Sequence, residues 1–263
     1  VERDRKACLE NKVRIVEAGK ELQLSAEGIL PRLKLVFDIL NAHYNKAGQF
    51  EDDKALAQVN SWSGLEEGDR KIPDYYFTLN LCYGPWVEER QKNVWTTVYR
   101  KFKESCKGDL RNLTNSMDLG FPFDWQDQHA KRLAQHLRAK GMSFSDLFKT
   151  LDKKSGLEAR NELADIMRTS TTKTLSTLLR DLLSKDVFPI DTRVQKILSY
   201  LGLPIDEDAI VIFCKKVGIN PRTLNRMMYK HGERCNSNLH SDCPLAAMCY
   251  IPLYLRLIFE VKP

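Results

Sequence analysis

What most limits the fold of this chain is the spacing of its apolar residues, which is helical almost everywhere. In "RLKLVFDILNAHY", Leu33, Leu35, Val36, Ile39 and Leu40 fall on one face at that spacing. "NVWTTVYRKF", "QHAKRLAQHLRAKG" and "SFSDLFKTL" follow the same rule. Gly141 is placed to close the third of these helices, and Ser143 to open the next. Strand-like alternation is scarce. The best β candidate, "VIFCKKV", fits a helix between Asp206 and Gly218 equally well. The expectation is an all-α protein.

A chain of 263 residues makes one large domain or two small ones and can bury a core without staples. Breakers fall at "NSWSGLEEGDRKIP" (60–73), at "DLGFPF" (118–123) and around Pro204. They predict an N-terminal helix over 1–30 that packs with a C-terminal lobe, a helical-bundle lobe over 31–198, and that C-terminal lobe over 199–263. Two helical lobes leave room for a cleft. No internal repeat or low-complexity tract is visible.

Composition narrows the function classes. Hydrophobic residues are 43% and charged residues 29%, as in a soluble globular protein. No apolar run approaches the length of a membrane span, so no membrane partner is expected. "VERDRKACLENK" has no apolar signal core, so export is not expected, and the missing Met predicts a trimmed chain. The expected location is cytoplasmic or nucleoid-associated, or nuclear in a eukaryote. A net charge of +6 is compatible with a polyanionic partner or with an ordinary mildly basic protein. No long heptad or apolar stripe shows, which predicts a monomer. Of the seven cysteines, Cys8, Cys82, Cys106 and Cys214 are scattered and read as buried reduced thiols. Cys235, Cys243 and Cys249 are clustered, which points to metal more than to disulfides.

Two short stretches carry candidate chemistry. In "MRTSTTKTLSTLLRDLL", Thr169 and Ser170 precede a run with Leu175, Leu178, Leu179 and Leu182 on one face. Hydroxyls and free N–H groups at a helix start suit a phosphate. Lys173 sits in the first turn, facing the positive end of the helix dipole, at a cost on the order of a few tenths of a kcal/mol. It reads either as an exposed lysine or as a residue with a task. In "FPIDTRVQKIL", Asp191 or Thr192 reads as the N-cap of a second helix carrying Val194, Ile197 and Leu198.

Joined, these stretches resemble the helix-hairpin-helix DNA glycosylases of the endonuclease III superfamily, whose hairpin of the type L-P-G-V-G-R-K-T-A is followed by V-D-T-H-V. "MRTSTTKTL" lies on the hairpin and "PIDTRV" on the second motif, with the family's spacing of eighteen residues between Lys173 and Asp191. The segment "KHGERCNSNLHSDCPLAAMCY" is similar to the family's cluster loop, C-x6-C-x2-C-x5-C, through "CPLAAMC". The likeness covers roughly 160–250 well and 30–160 loosely.

The resemblance implies a bifunctional DNA glycosylase and AP lyase of base excision repair, acting on double-stranded DNA with a modified base or an abasic site. Lys173 falls on the nucleophile and Asp191 on the aspartate. The base would be flipped out of the stack, and the lysine would attack the sugar as a neutral amine. The Schiff base then permits β-elimination. Thr169, Ser170, Thr171 and Thr172, with Arg168, Arg193 and Lys196, would meet phosphates. Tyr83 and Trp86 would serve as base pocket or wedge, or as core aromatics.

The chain departs from the family in three places. The hairpin has lost both glycines and its proline, so "RTSTT" must turn with residues that disfavour φ > 0. The family's glutamine plug has no counterpart in "DYYFTLNLCYGPWVEER". In the cysteine loop, seven residues separate Cys235 from Cys243, and His240 stands where a cysteine is expected. The implied ligand set is Cys235, His240, Cys243 and Cys249, for a [4Fe–4S] cluster, for zinc, or for no metal. The alternative function is a non-catalytic or monofunctional DNA-binding protein on the same scaffold.

Overall fold

The computed structural model describes residues 26–46, 48–50, 69, 72–82, 88–169, 172–235 and 243–249. Among them the chain is all-helical: ten α-helices, two short 3-10 turns and no strand. None of the described helices is long and apolar enough to cross a membrane.

The chain divides into two compact units. Glu51–Pro189 forms one; Val1–Phe50 and Ile190–Pro263 together form the other. The expected boundaries near 30 and 198 do not coincide with these. The first described helix, α1 (Ala26–Tyr44), finds its partners on α9 (Glu207–Lys216) and α10 (Pro221–Cys235), and α8 (Thr192–Tyr200) packs on α10. Packing therefore draws residues up to 50 and from 190 onward into one unit.

In the 51–189 unit, α2 (Pro73–Leu81) lies at the centre of the core. It packs against α3 (Glu88–Cys106), α4 (Asp124–Lys140), α5 (Phe144–Asp152) and α7 (Thr172–Leu183). Every residue from Asp74 to Leu81 is buried, so this helix is wrapped on all sides. Two of its polar side chains have internal partners: the Asp74 carboxylate accepts from the Leu110 N–H at 2.9 Å, and Thr78 Oγ1 donates to the Tyr75 carbonyl at 2.8 Å. Gln126, fully buried, donates from its amide to the Leu81 carbonyl and accepts from the Phe123 N–H, pinning the start of α4 to the end of α2. Phe77, Phe102 and Phe144 fill the centre. Each such ring contributes about 1.5–3 kcal/mol by leaving water.

Local signals set the ends of these helices. Gly141 takes φ 61° and ends α4. Ser143 and Ser155 open α5 and α6 (Gly156–Met167), each in a reciprocal box with the acid three residues on, Asp146 and Glu158.

In the other unit, Asp206 caps α9 by accepting from the Ala209 N–H at 2.7 Å, and Asn220 caps α10 through Arg222 and Thr223. "VIFCKKV" is helix: Ile210, Val211 and Cys214 share the buried side, a spacing no strand would produce. On α1, Leu33, Val36 and Leu40 are buried, as the spacing predicts, but Leu35 is half exposed. Two residues from Leu33 is about 200° around a helix, so it lies off that face. Gly232 lets α10 approach α8 closely: a Cβ there would stand 2.7 Å from the Arg193 Cβ.

Candidate functional site

The helix–turn–helix of the 51–189 unit is formed by α6 and α7, which pack on each other. It turns at Arg168, whose backbone takes the left-handed region at φ 51°, ψ 52°. The Arg168 N–H donates to the Asp165 carbonyl at 3.2 Å and the Thr169 N–H to the Ala164 carbonyl at 3.0 Å, which closes α6. The chain thus makes with arginine a turn usually made with glycine, at a cost on the order of 1 kcal/mol. Arg132 of α4 supports it: its Nη1 donates to the carbonyls of Met167 at 3.0 Å and Arg168 at 3.3 Å. Sequence reasoning missed Arg132, because nothing local to α4 marks a cation that reaches a turn 35 residues downstream.

The Arg168 side chain is exposed and Thr169 half-buried. Ser170 and Thr171 lie outside the described residues. Thr172 is the first residue of α7 and Lys173 the second, both half-buried. The Lys173 carbonyl accepts from Thr177 Oγ1 at 2.9 Å.

Asp191 belongs to the other unit, where it opens α8. Its backbone is extended, and Oδ1 accepts from the N–H groups of Arg193 at 3.0 Å and Val194 at 2.8 Å. Asp191 is therefore the cap, and Thr192 is the first helical residue. The two cations predicted to meet phosphate on α8 have partners within this unit. The Arg193 guanidinium stands 4.8 Å from the Tyr229 ring centre and 3.5 Å from Glu233 Oε1. Lys196 Nζ is 3.4 Å from the Cys235 carbonyl oxygen and 5.5 Å from the Tyr200 ring centre.

The cysteine segment belongs to the same unit as Asp191. Cys235 ends α10, and Cys243 and Cys249 flank a 3-10 turn at Ala246–Met248. None of the three is in a disulfide, and all are half-buried. Arg32 of α1 holds the segment by donating to the Met248 carbonyl at 2.5 Å. Cys243 Sγ lies 3.5 Å from Nε2 of His231, whose Nδ1 lies 2.9 Å from the Tyr44 hydroxyl. His231 is 1% exposed. Burial, then the neighbouring thiols of Cys243 and Cys249, pushes the Cys235 thiol up to about 11. Burial, then Cys249 and Cys235, pushes the Tyr200 phenol up to about 12.

His240, the predicted fourth ligand, lies outside the described residues, as do Tyr83 and Trp86. Cys82, Cys106 and Cys214 are fully buried and not in disulfides, as their positions predicted, and Cys8 lies outside the described residues. As placed, no three His, Cys, Asp or Glu side chains among the described residues stand close enough to grip one ion. Sequence reasoning overlooked His231. The usable signal was its position four residues before Cys235, on the same side of one helix.

Comparison of the chain with models of known protein families, with curated proteins and with solved structures finds no match.

Proposed function

We propose that this chain is a DNA glycosylase with AP lyase activity, acting on duplex DNA that carries a modified base or an abasic site. The observation that carries the reading is that Lys173 lies in the first turn of α7 and Asp191 caps α8, with the left-handed turn at Arg168 closing α6 before α7. A helix start after a tight turn presents N–H groups to a phosphate, and here hydroxyls and the exposed Arg168 accompany them. Asp191 suits a carboxylate facing an oxocarbenium-like sugar. Two N–H bonds fix it through Oδ1, and Oδ2 has no partner among the described residues.

In the proposed reaction the Lys173 amine attacks the anomeric carbon of a flipped nucleotide and displaces the base. The sugar ring opens to a Schiff base, a proton leaves the adjacent carbon, and the 3′ phosphate departs by β-elimination. Water then releases the enzyme. Borohydride reduces the Schiff base and traps protein on DNA. Wild type incubated with abasic duplex and borohydride is expected to give this adduct, and Lys173→Gln none. Absence of an adduct from wild type would sink the lyase assignment.

A second reading, a DNA binder without lyase chemistry, draws on Arg193 and Lys196. Both are already engaged with partners inside their own unit, which leaves less cationic surface for phosphate. Duplex binding with no adduct would favour it.

A further inference from the structure

We propose that the side of α4 carrying Trp125 and Arg132 binds a single-stranded stretch of nucleic acid, with a base stacked on the Phe123–Trp125 pair and a neighbouring phosphate on the Arg132 guanidinium. The inference goes beyond the reaction proposed above, since it needs neither Lys173 nor a damaged base. All of its residues lie within the 51–189 unit.

Phe123 and Trp125, at the start of α4, are both exposed, each to 38%. Their rings are stacked, with centroids 6.3 Å apart and planes 14° from parallel. The buried His129 meets the Trp125 ring edge-on at 5.4 Å and supports it from the core side. Area decides what such a surface can hold. A whole aromatic side chain offers on the order of 150–250 Å², so two that are 38% exposed offer together on the order of 150 Å². A stable protein partner, or a second copy of this chain, needs about 800 Å² per side. A nucleobase needs only one ring face, and stacking on it is tolerant of sequence.

Charge on the same side favours a polyanion. Gln128, His129, Arg132 and His136 share the Trp125 side of α4, and none of them is acidic. The acids of the first turn lie elsewhere: Asp124 is about 100° and Asp127 about 160° around the helix from Trp125. Asp127 is also paired with Lys131 at 2.7 Å. Arg132 stands two turns beyond Trp125, about 10 Å along the axis. Its Nη1 is taken by the Met167 and Arg168 carbonyls, and Nε and Nη2 have no hydrogen-bond partner among the described residues. A guanidinium anchored through one nitrogen, with the others open, is a preset donor to phosphate. The exposed Arg168 lies at the other end of one of those bonds. Ring and cation thus follow one another along the helix, as base and phosphate follow one another along a strand. A duplex keeps its base faces stacked inside, so the rings select an unpaired stretch.

Fluorescence anisotropy of a labelled oligothymidylate of about ten nucleotides, titrated with the protein at several salt concentrations, tests this. Wild type is expected to bind it more tightly than a blunt duplex of equal length. Trp125→Ala should weaken binding at least about fivefold, while Trp125→Phe, which restores a ring, should stay within about twofold of wild type. Arg132→Gln removes one phosphate contact and should lower the slope of log K against log salt by about 0.7. Trp125→Ala should leave that slope unchanged, a split that loss of folding would not produce. A parallel titration with oligouridylate identifies the strand as DNA or RNA by which binds more tightly. Three results would overturn the proposal: no binding of either strand by wild type, equal binding by wild type and Trp125→Ala, or a wild-type dimer in sedimentation that Trp125→Ala dissolves, which would assign the rings to a second copy. Neither strand carries an abasic site and no covalent adduct is read, so failure here is distinguishable from failure of the lyase reading.

Discussion

At the scale of single residues, Asp191 caps α8 and, in the proposed reaction, would also face the sugar; substitution can separate the two. Asparagine also accepts from backbone N–H groups, so Asp191→Asn should keep the α8 cap and alter stability by only a few tenths of a kcal/mol. It removes the negative charge, so borohydride trapping on abasic DNA should slow by roughly 10²-fold. Asp191→Ala loses both, with about 1 kcal/mol of stability besides. Asp74 offers a second test. Burial raises its carboxyl from 3.8 to about 6, against the pull of the Leu110 N–H. A folded carboxyl above its unfolded value binds its proton more tightly when folded. Its ionisation therefore penalises the fold fully above about pH 6, and the penalty fades as pH falls towards 3.8. The gap corresponds to on the order of 3 kcal/mol. Asp74→Asn retains an acceptor for Leu110. It should raise Tm at pH 7–8 and flatten this group's share of the stability profile between about pH 4 and 6, as thermal melts across pH would show.

Among the elements, the sequence-visible features are those settled within a turn or two of chain. Ser143, Asp206 and Asp191 announce helix starts because a cap needs only its next three residues. The all-helical class follows from spacing alone. Leu35 was misplaced by counting apolar residues instead of their angle around the axis. The contact of His231 with Cys243 was invisible because Cys243 lies beyond the end of α10, and the support from Arg132 because its partners lie at the end of another helix. The contact of α8 with α10 is another long-range feature and gives the element-scale prediction. Gly232→Ala places a methyl 2.7 Å from the Arg193 Cβ, an atom too close to the backbone to swing aside. The helices must part, at a cost of about 1–3 kcal/mol, readable as a lower urea midpoint. The same change should disturb Asp191 and Cys235, which lie at the ends of these two helices.

For the whole molecule, the bounds of the two units, near 50 and 190, are not marked by any local signal in the sequence. Breakers at 60–73 and near Pro204 mark where helices stop, not which helices pair. One unit is continuous in sequence and the other is assembled from both sides of it. The continuous stretch 51–189 carries its own core of Phe77, Phe102 and Phe144, and expressed alone it should give a cooperative helical melt. A featureless thermal transition from that fragment would contradict this.

The discontinuous unit imposes an order of assembly during synthesis. The Tyr44 hydroxyl meets a histidine 187 residues later, and Arg32 meets a carbonyl 216 residues later. On the ribosome, α1 emerges before α9 and α10, the described helices against which it packs, with its apolar side of Ile29, Leu33, Val36 and Leu40 buried in the folded unit. At about 5–20 residues per second, that leaves the stripe waiting for on the order of ten seconds or more. Nascent chains stalled before α9 should therefore engage holdase chaperones through α1, and release should coincide with the emergence of α10.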